Sequence, residues 1–260
     1  MENLRRYGEA PYTVAVVHGG PGAAGEMAPV ARELSSEWGA LEPLQTATSL
    51  QGQIEELRYV LQGHSDPPVT LAGFSWGAWL SFMLAAGHPA LVKKLVLIGS
   101  GPFEERYAAR VAAARLSRLN RQEKLEFASI SRTLSDPGAE NRDAAFARLR
   151  ALAFKADAFD PMIRKTGAPD VQAEVFLNVW KEAAAMRRSG RLLEMAKDIR
   201  CPVVAIHGDR DPHPAAGVGK PLSAAIAGFR MILLPKCGHM PWIERHAHDR
   251  FFEVLKQELR

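Results

Sequence analysis

Ser75 lies in Gly73-Phe74-Ser75-Trp76-Gly77, directly after the apolar run Val69 to Phe74 and directly before the helical pattern of Trp76 to Gly87. A serine on so sharp a strand-to-helix turn stands its hydroxyl clear of the sheet, and glycines on either side let neighbouring backbone pass close. A hydroxyl alone is a weak nucleophile, so it needs a base, and the base needs an orienting carboxylate. Two later loops carry such groups. Val203 to His207 runs into Gly208-Asp209-Arg210-Asp211-Pro212, and Met231 to Leu234 leads to Cys237-Gly238-His239. The chain order Ser75, Asp211, His239 is the order in which the strand–serine–helix elbow motif carries its acid and base. A further glycine loop, His18-Gly19-Gly20-Pro21-Gly22, follows the run Thr13 to Val17. It lacks the GxGxxG spacing and the lysine of a phosphate-binding loop.

These loops need strands that end together. Thr13–Val17, Val69–Phe74, Leu95–Gly99, Val203–His207 and Met231–Leu234 are short apolar runs closed by glycine, proline or polar turns, without in/out alternation. Gly39 to Leu44 is a weaker run whose Pro43 suits a strand end. Helical patterns separate them: about Gly25–Trp38, Leu50–Gln62, Trp76–Gly87, a stretch past Pro214, and His246 to the end. This alternation predicts an α/β fold, doubly wound around a mostly parallel sheet. From about Pro102 to Lys197 the alternation stops and the pattern is helical: Glu104–Leu119, Gln122–Leu134, Asn141–Phe154 and Asp170–Arg188, punctuated by Asp136-Pro137-Gly138 and Thr166-Gly167-Ala168-Pro169. The expected domains are therefore a core of residues 1–101 and 198–260 and an all-helical cap of residues 102–197, placed where ligands bind.

Four motifs in order carry a resemblance: His18-Gly19-Gly20-Pro21-Gly22, Gly73-Phe74-Ser75-Trp76-Gly77, Gly208-Asp209-Arg210-Asp211 and Gly238-His239. Over nearly its whole length the chain resembles an α/β-hydrolase, and HGGPG with a tryptophan after the serine is similar to the proline iminopeptidase branch. The resemblance implies that Ser75 is the nucleophile, His239 the base and then the acid, and Asp211, rather than Asp209, the orienter. It also implies an oxyanion hole made by the backbone N–H of Trp76 with that of Gly19 or Gly20. Family members carry a pair of antiparallel strands before the first glycine loop, whereas here that loop begins at residue 18, so a shorter sheet of about six strands is expected. The weak strand is followed by Gln45-Thr46-Ala47-Thr48-Ser49 instead of the family's Asp-x-Arg-Gly-x-Gly turn.

An iminopeptidase must hold a free ammonium, which in a dry pocket needs an anion. Glu42 on the weak strand, and Glu174 and Glu182 in the pattern VQAEVFLNVWKE, are the candidates. Without the family turn, short esters are the expected substrates, ahead of proline anilides. The reading is thus a serine hydrolase on a small ester, amide or short peptide. The alternatives are an iminopeptidase-like aminopeptidase, a lyase or C–C hydrolase using the same residues, and a binding protein that keeps the fold without catalysis.

Composition narrows the rest. The 260 residues are 47% apolar and 24% charged, with 33 basic against 29 acidic side chains. The arginines form no dense basic block, which argues against nucleic acid as partner. No run of about 18 apolar residues exists and the start is polar, which argues against a membrane span or export signal. Cys201 and Cys237 are too few for a disulfide scaffold and lack CxxC spacing. A cytoplasmic protein is expected. His207, Asp209 and His213 match no metal-ligand spacing, so neither metal nor cofactor is called for.

Overall fold

The computed structural model describes residues 3–136, 138–162 and 170–260. Pro137 and the turn Thr166-Gly167-Ala168-Pro169 lie outside them. Among the described residues the strands are β1 (Leu4–Tyr7), β2 (Tyr12–Val17), β3 (Ala23–Ala24), β4 (Gly39–Pro43), β5 (Val69–Phe74), β6 (Val92–Ile98), β7 (Asp170–Val171), β8 (Val203–Gly208) and β9 (Arg230–Leu234). The helices are α1 (Ala28–Leu34), α2 (Leu50–His64), α3 (Trp76–Gly87), α4 (Glu105–Ser117), α5 (Arg121–Ser135), α6 (Arg142–Asp157), α7 (Ala173–Arg188), α8 (Arg191–Glu194), α9 (Ala216–Ala225) and α10 (His248–Leu259).

Seven strands form one sheet in the order β1-β4-β2-β5-β6-β8-β9, parallel throughout except for β1, which pairs antiparallel with β4. The sheet therefore has one strand more than the sequence predicts. Its reason is positional: β1 is an edge strand, so only Leu4 need be buried while Arg5 and Arg6 face solvent, and no apolar run announces it. Gly39–Pro43, by contrast, is a fully buried strand inside the sheet, with Pro43 as its last residue.

Each strand feeds two cores. Val14 and Val16 of β2 face Met27, Val30 and Leu34 around α1 together with Phe251 and Leu255 of α10, while Ala15 and Val17 face Leu57 of α2 and Leu80 of α3. Period-2 alternation between two apolar layers explains why these strands read as unbroken apolar runs. Helices α4 to α8 fall between β6 and β8, as expected, except that Asp170–Val171 is a two-residue strand pairing antiparallel with Ala23–Ala24. That insertion is thus not purely helical. A backbone link so short leaves no periodicity to read.

Candidate active site

The turn from β5 into α3 places Ser75 at φ 53°, ψ −111°, outside the regions that L-residues prefer. Such a conformation costs on the order of 1–3 kcal/mol and persists only where its surroundings dictate it. Here they do: the Ser75 N–H donates to the Ile98 carbonyl at 2.9 Å, and a side chain at Gly77 would collide with the backbone of Val17 and His18. The loops after β2, β6, β8 and β9 surround this turn.

His239 Nε2 lies 3.1 Å from Ser75 Oγ, and its Nδ1 lies 2.7 Å from Asp211 Oδ2. Ser75, Asp211 and His239 are thus brought into one hydrogen-bonded line. The other Asp211 oxygen accepts from the backbone N–H of His213 at 2.8 Å and from its ring Nδ1 at 2.8 Å. Burial alone would raise the Asp211 carboxyl, but the attraction of His239, His213 and His207 holds it well below the usual carboxylate range. His239 feels the same contest: burial disfavours its cation, yet the charge and hydrogen bond of Asp211 raise its pKa above 6.5. An ionised carboxylate, an oriented imidazole and a half-buried hydroxyl facing the cavity, in this order, can pass a proton from serine to histidine as the oxygen attacks. Asp209 is elsewhere, accepting from the Cys237 N–H at 3.2 Å.

Gly20, at φ 108°, borders the cavity over Ser75, whereas the Gly19 amide is turned toward the Glu26 carboxylate. Trp76, the first residue of α3, has its side chain buried against Gln53, leaving the helix N-terminus beside the serine. His18 supports this loop: its Nδ1 bonds the Gly19 carbonyl at 2.7 Å and its Nε2 accepts from the Gln45 N–H at 3.3 Å. Burial lowers its pKa to about 4, so it is neutral and fixed. Cys237 is buried, and burial pushes its thiol up, away from nucleophilic reactivity.

A cavity of about 400 Å³ opens above the serine. Its wall is largely supplied by the helices between β6 and β8: Phe127, Phe146, Leu149, Phe176 and Trp180 among others. Phe146, Phe176, Trp180 and Trp79 stack in series at 4.5, 6.3 and 5.7 Å. The wall's charged residues are paired: Arg115 grips Asp157 with two bonds of 2.6 and 2.7 Å, and Arg150 reaches Glu26 at 2.7 Å.

Residues 35–245 match the model of the family described as the alpha/beta hydrolase fold. The chain belongs to the alpha/beta hydrolase family. No curated protein matches it in sequence. Among solved structures, VinJ is 20% identical with a TM-score of 0.68, the match covering 98% of this chain and 93% of that one. A putative lipase from Acinetobacter baumannii AYE is 18% identical with a TM-score of 0.65, covering 98% and 87%. The enol-lactonase from Burkholderia xenovorans LB400 is 19% identical with a TM-score of 0.63, covering 98% and 95%.

In this member of the family Glu42, Glu174 and Glu182 do not border the cavity. Glu42 is buried on β4, accepting from the Tyr7 hydroxyl at 2.8 Å beside Arg5. Glu174 and Glu182 are exposed on α7, and Glu182 accepts from the Leu50 N–H that opens α2. The reason is periodicity: Phe176, Trp180 and Arg187 share the α7 face that lines the cavity, and residues 174 and 182 point away from it. The acids that do border it, Glu26 and Asp157, are not marked by any local motif; only the fold brings them there. His213, passed over in the sequence because it has no metal spacing, also lines the cavity. Ligand atoms of Asp211, His213 and His239 lie within 4.8 Å of one another, so these residues could hold a metal, but both imidazole Nδ1 atoms are committed to Asp211.

Proposed function

We propose that the protein is a serine hydrolase for carboxylic esters or thioesters with an apolar acyl chain. The observation that carries this reading is the Ser75–His239–Asp211 line at the floor of an apolar cavity. Ser75 Oγ attacks the acyl carbon as His239 Nε2 takes its proton. The oxyanion is held by the backbone N–H groups of Trp76 and Gly20, each such donor contributing about 3 kcal/mol. His239 returns the proton to the leaving group, and water activated by the same histidine then cleaves the acyl-enzyme. Residues 102–197 act as the cap that supplies the acyl wall. The unpaired cysteines fit a reducing cytoplasm.

An aminopeptidase reading has less support, because Glu26 and Asp157, the acids at the cavity, are each already neutralised by an arginine. The deciding experiment is fluorophosphonate labelling with mass mapping, then a panel of aryl esters, acyl thioesters and proline anilide. Labelling at Ser75 and a higher kcat/KM for octanoyl than for acetyl esters support the proposal. A proline anilide turned over faster than every ester would replace it with the peptidase.

A further inference from the structure

Asp211 is hydrogen-bonded to two imidazoles, not one. His239 Nδ1 occupies Oδ2 and His213 Nδ1 occupies Oδ1, and the two rings stack with centroids 4.4 Å apart at 27°. Both rings hang from one carboxylate by their Nδ1 atoms, so each keeps its Nε2 for a partner other than Asp211. That of His239 serves Ser75. That of His213 has no hydrogen-bond partner among the described residues, although His213 is only 8% exposed and lines the cavity. Its tautomer is set by its neighbours: a carboxylate on Nδ1 requires the proton there, so Nε2 carries a lone pair. The His213 carbonyl is also tied down, accepting from His207 Nε2 at 2.8 Å, so the ring sits on a braced loop. Burial, together with the neighbouring His239, lowers its pKa to about 4 despite Asp211 and keeps that lone pair free near neutrality.

We propose that His213 is a specificity-determining residue whose Nε2 accepts a hydrogen bond from a hydroxyl carried by the acyl chain close to the scissile carbonyl. Because His213 and His239 stack with centroids 4.4 Å apart and line the same cavity as Ser75, a donor near the scissile carbonyl, on acyl carbon 2 or 3, is the one this acceptor would take. A buried acceptor left bare by an unsubstituted chain discriminates against it, because its desolvation is then uncompensated. The substrate class is accordingly a 2- or 3-hydroxyacyl ester or thioester. This rests on the serine-hydrolase reading above.

The test uses N-acetylcysteamine thioesters of 2- and 3-hydroxyoctanoate and of their O-methyl ethers, with wild type and two variants. The amide of asparagine reaches about as far as the Nδ1 side of histidine, and the longer amide of glutamine about as far as the Nε2 side. His213→Asn therefore keeps a donor for Asp211 and loses the cavity acceptor, while His213→Gln does the reverse. Wild type should favour one hydroxy thioester over its methyl ether by about tenfold in kcat/KM. His213→Asn should erase that ratio, and His213→Gln should retain it at a lower overall rate. No preference in the wild type, or a preference that survives His213→Asn, overturns the proposal; should His213→Asn not fold, loss of the ratio in a folded His213→Gln overturns it as well. Fluorophosphonate labelling of Ser75, run alongside, separates the two failures. Absent labelling removes the hydrolase reading and this inference with it, whereas labelling without a hydroxyl preference removes the inference alone.

Discussion

Ser75 occupies a backbone conformation that nothing in its own chemistry favours, held there by β5, α3 and the glycines between which it sits. Its side chain is not packing the core, so Ser75→Ala should leave the thermal transition in place while kcat falls roughly 10⁴-fold or more and fluorophosphonate labelling disappears. In the proposed mechanism His239 takes the serine proton, which it can do only when neutral. Because Asp211 raises its pKa against the effect of burial, kcat/KM should climb with pH through a midpoint above 6.5 and then level off. Asp211→Asn should cost on the order of 10⁴-fold in kcat and move that midpoint down. Asp209→Asn, which loosens the bond to the Cys237 N–H and removes the ion pair with Arg210 but touches neither Ser75 nor His239, should cost less than about tenfold. The opposite ranking, measured at equal stability, would make Asp209 the orienting acid.

At the scale of elements, the helices between β6 and β8 are tied to the core by ion pairs and backbone bonds beside the serine. Arg150 of α6 reaches Glu26 after the first glycine loop, and the Asp157 carbonyl at the end of α6 accepts from the His239 N–H at 2.9 Å. Burial raises the Glu26 carboxyl against the opposing pull of Arg150, so removing the arginine strands an acid beside the Gly19 amide. Arg150→Met should therefore destabilise by about 2–3 kcal/mol in urea unfolding, somewhat below the range for fully buried pairs. Adding Glu26→Gln should recover part of that loss. A double variant no more stable than Arg150→Met would show that the pair is not what ties α6 down. On α7, Trp180→Ala removes the middle of the aromatic series and should lower kcat/KM for octanoyl esters several-fold more than for acetyl esters.

Across the whole molecule, the cavity volume of about 400 Å³ is ample for a medium-length acyl chain, and its charges are internally paired. The panel of chain lengths should consequently rise from acetyl to octanoyl, and added salt up to about 0.5 M should change kcat/KM for neutral esters little, since no unpaired charge attracts them. A steep salt dependence would argue for a charged substrate. No helix among the described residues is long and apolar enough to cross a membrane.

Local sequence was sufficient for whatever a strand, its turn and the next helix decide between them. The apolar runs, the elbow at Ser75, the glycine loop at Gly19-Gly20 and the loops bearing Asp211 and His239 are all written in contiguous residues, because period, glycine and turn chemistry act over a few positions. Edge strand β1 was not legible, since a strand covered on one side needs no apolar run. Nor was the cavity. Glu26 and Arg150 are 124 residues apart, the imidazole of His213 acquires meaning only from its stack on His239, and Glu174 and Glu182 were separated from the site by a helical phase set by α7 packing. Which side chains share a pocket depends on how helices rotate onto one another and onto the sheet, and that rotation is fixed by burial of distant surfaces, a property of the folded chain that no local pattern encodes.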